Sequence, residues 1–179
     1  WREALPSGIQ VLGANSTETP TTSLLINIPG GHFYESKKQT GLADLTAAML
    51  NESTKAYSTE EMSKALQILG SSITFNSSDR YTSVFVSALS KNLAPTLALL
   101  QEKMFSPAFD EADFERLKQQ SIQGLINNKK DASYLGRRAY TQLLFGDTIA
   151  GAPGGGTVES LSQLTREDLV QFYAAHFKP

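Results

Sequence analysis

A chain of 179 residues, 40% of them hydrophobic and 19% charged, is long enough for one core, too short for two ordinary ones, and too apolar for disorder. Sixteen Lys plus Arg against eighteen Asp plus Glu leave a net charge of −2, which argues against nucleic acid as a partner because no sequence-wide positive field exists. The absence of cysteine excludes thiolate catalysis, disulfides and Cys-based metal modules, and no apolar run approaches the roughly 20 residues of a membrane span.

The run Leu5–Asn15 turns at Pro6-Ser7-Gly8 and then becomes apolar, predicting a first strand. Thr22–Ile28 alternates, with Leu24, Ile26 and Ile28 on one face, and Pro29-Gly30-Gly31 ends it. Between Gly41 and Glu52 the spacing of Leu42, Leu45, Met49 and Leu50, with Ala43, Ala47 and Ala48 between them, predicts a buried helix. Ser58-Thr59-Glu60-Glu61 is a capping-box pattern, opening a helix that Gly70 stops after Leu69. Ile73–Asn76 and Tyr81–Leu89 then alternate as an antiparallel hairpin around Ser77-Ser78-Asp79. Leu93, Leu97, Leu100 and Met104 mark a helix ended by Pro107, and Asp110 caps the next, whose stripe is Phe114, Leu117, Ser121 and Leu125. Helical segments around Tyr134–Leu144, Val158–Leu161 and Glu167–Phe177 complete the chain. The order of strand pair, helix pair, hairpin and further helices predicts one domain over residues 1–179, of α+β class, with a largely antiparallel sheet and helices packed on one face.

Few residues invite chemistry. The loop Gly151-Ala152-Pro153-Gly154-Gly155-Gly156 lacks the Lys-Ser/Thr of a phosphate loop and reads as a plain connection. No Gly-x-Ser-x-Gly elbow occurs, and the two histidines, His32 and His176, read as solvated or edge residues, too far apart for a zinc pair on one helix. Glu60, Glu61, Glu111, Asp113, Glu167 and Asp168 all fall in first helical turns, where they complement the helix dipole. Sequons at Asn15, Asn51 and Asn76 are short enough to arise by chance in a Ser/Thr-rich chain.

Several segments in order carry a resemblance. Leu5-Pro6-Ser7-Gly8-Ile9, Gly30-Gly31-His32-Phe33-Tyr34-Glu35 and Thr40-Gly41-Leu42-Ala43-Asp44-Leu45 resemble the opening domain of a half-unit in the pitrilysin/insulinase family of zinc metallopeptidases, the inverzincins. Leu69-Gly70, Phe109, Phe114-Glu115-Arg116, Leu143-Leu144-Phe145-Gly146, Gly156-Thr157, Leu164-Thr165 and the ending from Phe172-Tyr173 to Lys178-Pro179 extend the likeness over almost the whole chain. The resemblance implies the half-unit fold seen in pitrilysin and mitochondrial processing peptidase. In active members the helix starting at Gly41 carries His-x-x-Glu-His, two zinc-binding imidazoles and a Glu base. The matching positions here are Asp44, Ala47 and Ala48, and the third ligand position, counted 76 residues beyond Ala48, is Gly124.

The resemblance thus implies a chain with no catalytic, cofactor-binding or metal residue of its own, and zinc only in another half of its parent. It resembles the opening domain of a non-catalytic half, such as domain three of a four-domain peptidase, helping to enclose a peptide chamber. Its implied partners are other domains or a subunit of that peptidase and, through the whole enzyme, peptide substrate. The alternative is a non-peptidase assembly subunit that kept the fold and lost the activity. No substrate residue carries over, because Arg80-Tyr81 and Arg137-Arg138-Ala139-Tyr140 lack the family's Arg-x-x-x-x-Gly-x-x-Tyr spacing. Starting at Trp1, the sequence reads as part of a longer or processed protein, and its lack of Cys with abundant Ser, Thr and Asn suits an exported bacterial protein, such as a periplasmic one, while leaving the cytosol open.

Overall fold

Alternation of apolar residues along three segments builds the central sheet in a computed structural model that describes residues 1–16 and 18–177. Thr17, which closes the Asn15 sequon, and Lys178-Pro179, which end the family landmarks, lie outside the described residues. Strands β1 (Arg2–Ala4) and β2 (Gln10–Leu12) pair only with each other, with Arg2 opposite Leu12. The strand expected after the Pro6-Ser7-Gly8 turn is β2, and β1, which the sequence did not suggest, precedes that turn and makes a hairpin of the two. Pro6-Ser7-Gly8 forms its turn, closed by the Leu5 N–H donating to the Ile9 carbonyl at 2.8 Å, and a tight local turn outcompetes the more distant sheet.

The main sheet joins β3 (Thr21–Pro29), β4 (Ser72–Ser77) and β5 (Tyr81–Leu89) in the order β3-β5-β4, all antiparallel. Leu24 lies opposite Val86 and Val86 opposite Ile73, while Ile26, Val84 and Phe75 form the next row. These rows face the core, where Val84 and Val86 are fully buried, and the other face leaves Leu25 and Phe85 exposed. A one-residue slip would invert the two faces, so the apolar pattern fixes the register.

Among the described residues seven α-helices follow the sequence closely: α1 (Leu42–Leu50), α2 (Thr59–Leu69), α3 (Leu93–Phe105), α4 (Glu111–Asn128), α5 (Ala132–Phe145), α6 (Val158–Gln163) and α7 (Arg166–His176). Ser58 and Glu61 close the capping box of α2, Gly70 ends it in the left-handed conformation at φ 59°, and Asp110 accepts from the N–H groups of Ala112 and Asp113 at the start of α4. Helix α1 is the axle, packed against β4, α4 and α7. Its Leu45, Met49 and Leu50 join Phe75, Phe114, Leu161 and Leu169 in one core, each such side chain contributing about 1.5–3 kcal/mol by leaving water. No helix among the described residues is long and apolar enough to cross a membrane.

Candidate functional site

Seven of the nine α1 residues are buried, and the two left over are Asp44 and Ala48, one turn apart. This opening in the helix faces a cavity of about 410 Å³ bounded by α1, β4 and α4, with Asp44, Ala47, Ala48, Asn76, Ser77 and Ser121 in its wall. The expected positions on α1 therefore do converge on one space. Gly124 does not line it; Ser121, one turn earlier on α4, does, and a Cβ added at Gly124 would meet nothing within 4 Å.

Water reaches the Asp44 carboxylate, yet protein surrounds it on most sides, as at the floor of an open bowl. That partial burial, joined by the nearby charge of Glu35, pushes its pKa up to about 6, against the opposing pull of the Ser77 hydroxyl and His32. A carboxyl poised there could exchange a proton near neutrality. Its neighbours on the same helix face offer it no partner for that exchange, since Ala47 and Ala48 present only methyl groups.

Behind Asp44 lies a buried anchor. The first turn of α1 has no side-chain cap of its own, because Gly41 stands at the N-cap with φ 93°. Glu35, its side chain wholly shielded, supplies the acceptor instead, receiving the N–H groups of Gly41 at 3.2 Å and Ala43 at 2.6 Å. His32 donates from Nδ1 to the same carboxylate at 2.8 Å and from Nε2 to the Ile149 carbonyl at 2.8 Å. Both ring nitrogens face acceptors, so both bonds form only in the imidazolium. The Glu35 hydrogen bond accordingly raises the His32 pKa, against the opposing effect of burial. The expectation of a solvated or edge His32 is thus corrected: it is 4% exposed and ties the Gly31 turn to the loop after α5. His176 is half-buried, with its ring against Phe172 and Tyr34.

At the other end of α1, Asn51 binds the free edge of β4. Its amide donates to the Phe75 carbonyl and its oxygen accepts the Phe75 N–H, both at 2.9 Å, imitating one residue of a neighbouring strand. An incoming extended chain cannot pair with β4 at Phe75 while Asn51 holds it. Lys103, 2% exposed, donates to the carbonyls of Asn51 and Glu52 at this helix end, with burial pulling its pKa down to about 8.

The donors in the cavity do not fit a catalytic zinc. Such a site takes three protein ligands, imidazole or carboxylate, plus a water, and this wall offers one carboxylate, two hydroxyls and neutral amides. No group of three or more His, Asp or Glu side chains gathers for a metal among the described residues. The six first-turn carboxylates sit at the helix starts where they were expected. Asn51, Ser77, Ser121 and the Glu35–His32 pair escaped the sequence reading as site residues. A polar Ser121 inside the α4 apolar stripe was the one available sign.

The insulinase profile, peptidase family M16, matches residues 10–149. A protein of Helicobacter pylori named non-peptidase homolog YmxG is 29% identical over 149 residues, 83% of this chain and 34% of its own length. The mitochondrial-processing peptidase subunit beta of Rattus norvegicus is 27% identical over 97% of this chain and 35% of its own. Among solved structures, a peptidase M16 inactive domain from Pseudomonas fluorescens superposes with a TM-score of 0.90 at 22% identity, over 96% of this chain and 42% of that one. The chain spans about a third of the length of these curated relatives. With a family profile matched over most of its residues and an α+β half-unit fold, the chain belongs to the insulinase family, peptidase family M16.

Proposed function

We propose that this chain is a catalytically silent domain of a larger zinc metallopeptidase, closing one wall of a peptide chamber while another half-unit holds zinc and hydrolyses the peptide. The observation that carries this reading is the α1 cavity. Where two imidazoles and a Glu base would be needed within one turn of helix, the wall presents the Asp44 carboxyl and the methyls of Ala47 and Ala48. The domain contributes to peptide hydrolysis through confinement and orientation of the substrate, not through a reacting group. Similarity to a protein named as a non-peptidase homolog and to one named as an inactive domain supports this reading. The same similarity favours a second one, an assembly subunit whose whole complex hydrolyses nothing. The two part on the parent: a His-x-x-Glu-His segment in the parent polypeptide or its co-purifying partner selects the first.

The reading is tested by calorimetric titration of zinc into the chain together with a quenched-fluorescent peptide assay. The expected result is weak surface binding only and no zinc-dependent cleavage. A stoichiometric micromolar site with hydrolysis would overturn it.

A further inference from the structure

Arg80, in the β4–β5 turn, and Arg137 and Arg138, on α5, meet around one cavity of about 850 Å³, within the roughly 300–1,000 Å³ of ligand sites. It meets the α1 cavity at Gly155 and continues past Leu125, Tyr134 and Arg138 toward the start of α6, so the three spaces form a trough. The close ion pairs among the described residues use His32, Lys37, Arg116 and Arg166 and none of these three guanidinium groups, although Arg138 lies near enough to Glu159 to attract its carboxylate. Asp79 is the acid in the wall of this cavity, where the imidazolium of His32 also lies; along the rest of the trough Asp44 lines the α1 end, and Glu159 and Lys129 line the α6 end, so the positive charge concentrates in the middle. In a chain of net charge −2 this is a local concentration of positive charge, and a concave wall focuses its field. Apolar surfaces share the cavity wall: Phe33, Tyr134 and Phe145.

We infer that this trough binds an extended peptide segment that combines carboxylate with apolar side chains, Arg80, Arg137 and Arg138 pairing with the carboxylates and the aromatic wall taking the apolar groups. Guanidinium forks match planar carboxylates through two parallel hydrogen bonds, which favours acidic side chains as the recognised groups. The elongated shape favours a chain over a compact anion. The inference rests on the peptide-chamber reading and adds to it the class of peptide that this wall prefers.

Fluorescence anisotropy on the full chain tests it, with two dye-labelled ten-residue peptides as probes, one alternating glutamate with leucine and the other lysine with leucine. The acidic probe is expected to bind at least about tenfold more tightly, with its affinity falling as salt rises. The double variant R137E/R138E should lose at least about tenfold for the acidic probe and stay within a few degrees of the wild-type melting temperature, since both side chains are exposed and neither makes a close ion pair. R137K/R138K, which keeps the charge and loses the fork, should fall between the two. Equal affinity for both probes, or an R137E/R138E variant that binds as the wild type does, would overturn the inference. So would a ten-nucleotide single-stranded DNA that displaces the acidic probe at lower concentration than the unlabelled peptide. Failure here leaves catalytic silence standing, whereas a stoichiometric zinc site would end that silence and leave the arginine trough untouched.

Discussion

Asp44 is the residue in which loss of chemistry and retained structure meet. Its pKa stands at about 6 in the folded chain against an ordinary 3.8, so between those values the folded state holds more protons than the unfolded one. Stability from this group is present at acid pH, falls as pH rises through that window, and levels off above it. Asp44→Asn, which keeps the shape and removes the charge, should therefore melt higher than the wild type near pH 7.5, with the gap closing by about pH 4. A gap that stays constant across a pH series of thermal melts would contradict the assignment. His32 runs the same way from a different cause: its raised pKa makes its contribution complete below the ordinary value of 6.5 and lost as pH climbs through the folded one. Asn51 offers a test that does not depend on charge. Asn51→Ala removes both bonds to Phe75 and should cost about 1–3 kcal/mol, read as a lower denaturant midpoint at unchanged slope.

Among the elements, those governed by local rules were legible in the sequence. Ser58 with Glu61, Gly70, Asp110 and the alternation of Tyr81–Leu89 are each decided within a few residues, and the structure places those boundaries at or next to the expected ones. The α1 stripe was equally clear, because residues three and four apart must share a face. Contacts between distant segments escaped. His32 is buried by a carbonyl 117 residues away, Asn51 by a strand 24 residues away, and neither partner is written near its residue. The β1–β2 hairpin was missed for the opposite reason, since two strands of three residues are too short to show alternation. Helix α4 carries a further expectation. Gly124 sits in its interior with open space around it, and Gly136 does the same in α5, so Gly124→Ala and Gly136→Ala should each stabilise the chain by about 0.5–1 kcal/mol in urea unfolding. Destabilisation at Gly124 would mean that α4 meets a neighbour there.

For the whole molecule, a family fold surrounds an α1 cavity whose wall holds no set of metal ligands among the described residues. The packing that presents α1 to the cavity is firm at both ends: Glu35 anchors its first turn, Lys103 and Asn51 bind its last, and α4 faces it across Ser121. Asp44, Ala47 and Ala48 line the cavity, and Gly124, one turn beyond Ser121, has open space for a longer side chain; if these four hold the places of the family's ligands and base, returning those side chains should return the metal. The direct measurement is a zinc titration of the variant D44H/A47E/A48H/G124E beside the wild type. One stoichiometric site is expected in the variant, with a submicromolar dissociation constant of about the order expected for three protein ligands, and none in the wild type. A folded variant that takes up no zinc, or a wild type that binds it as well, would contradict the account.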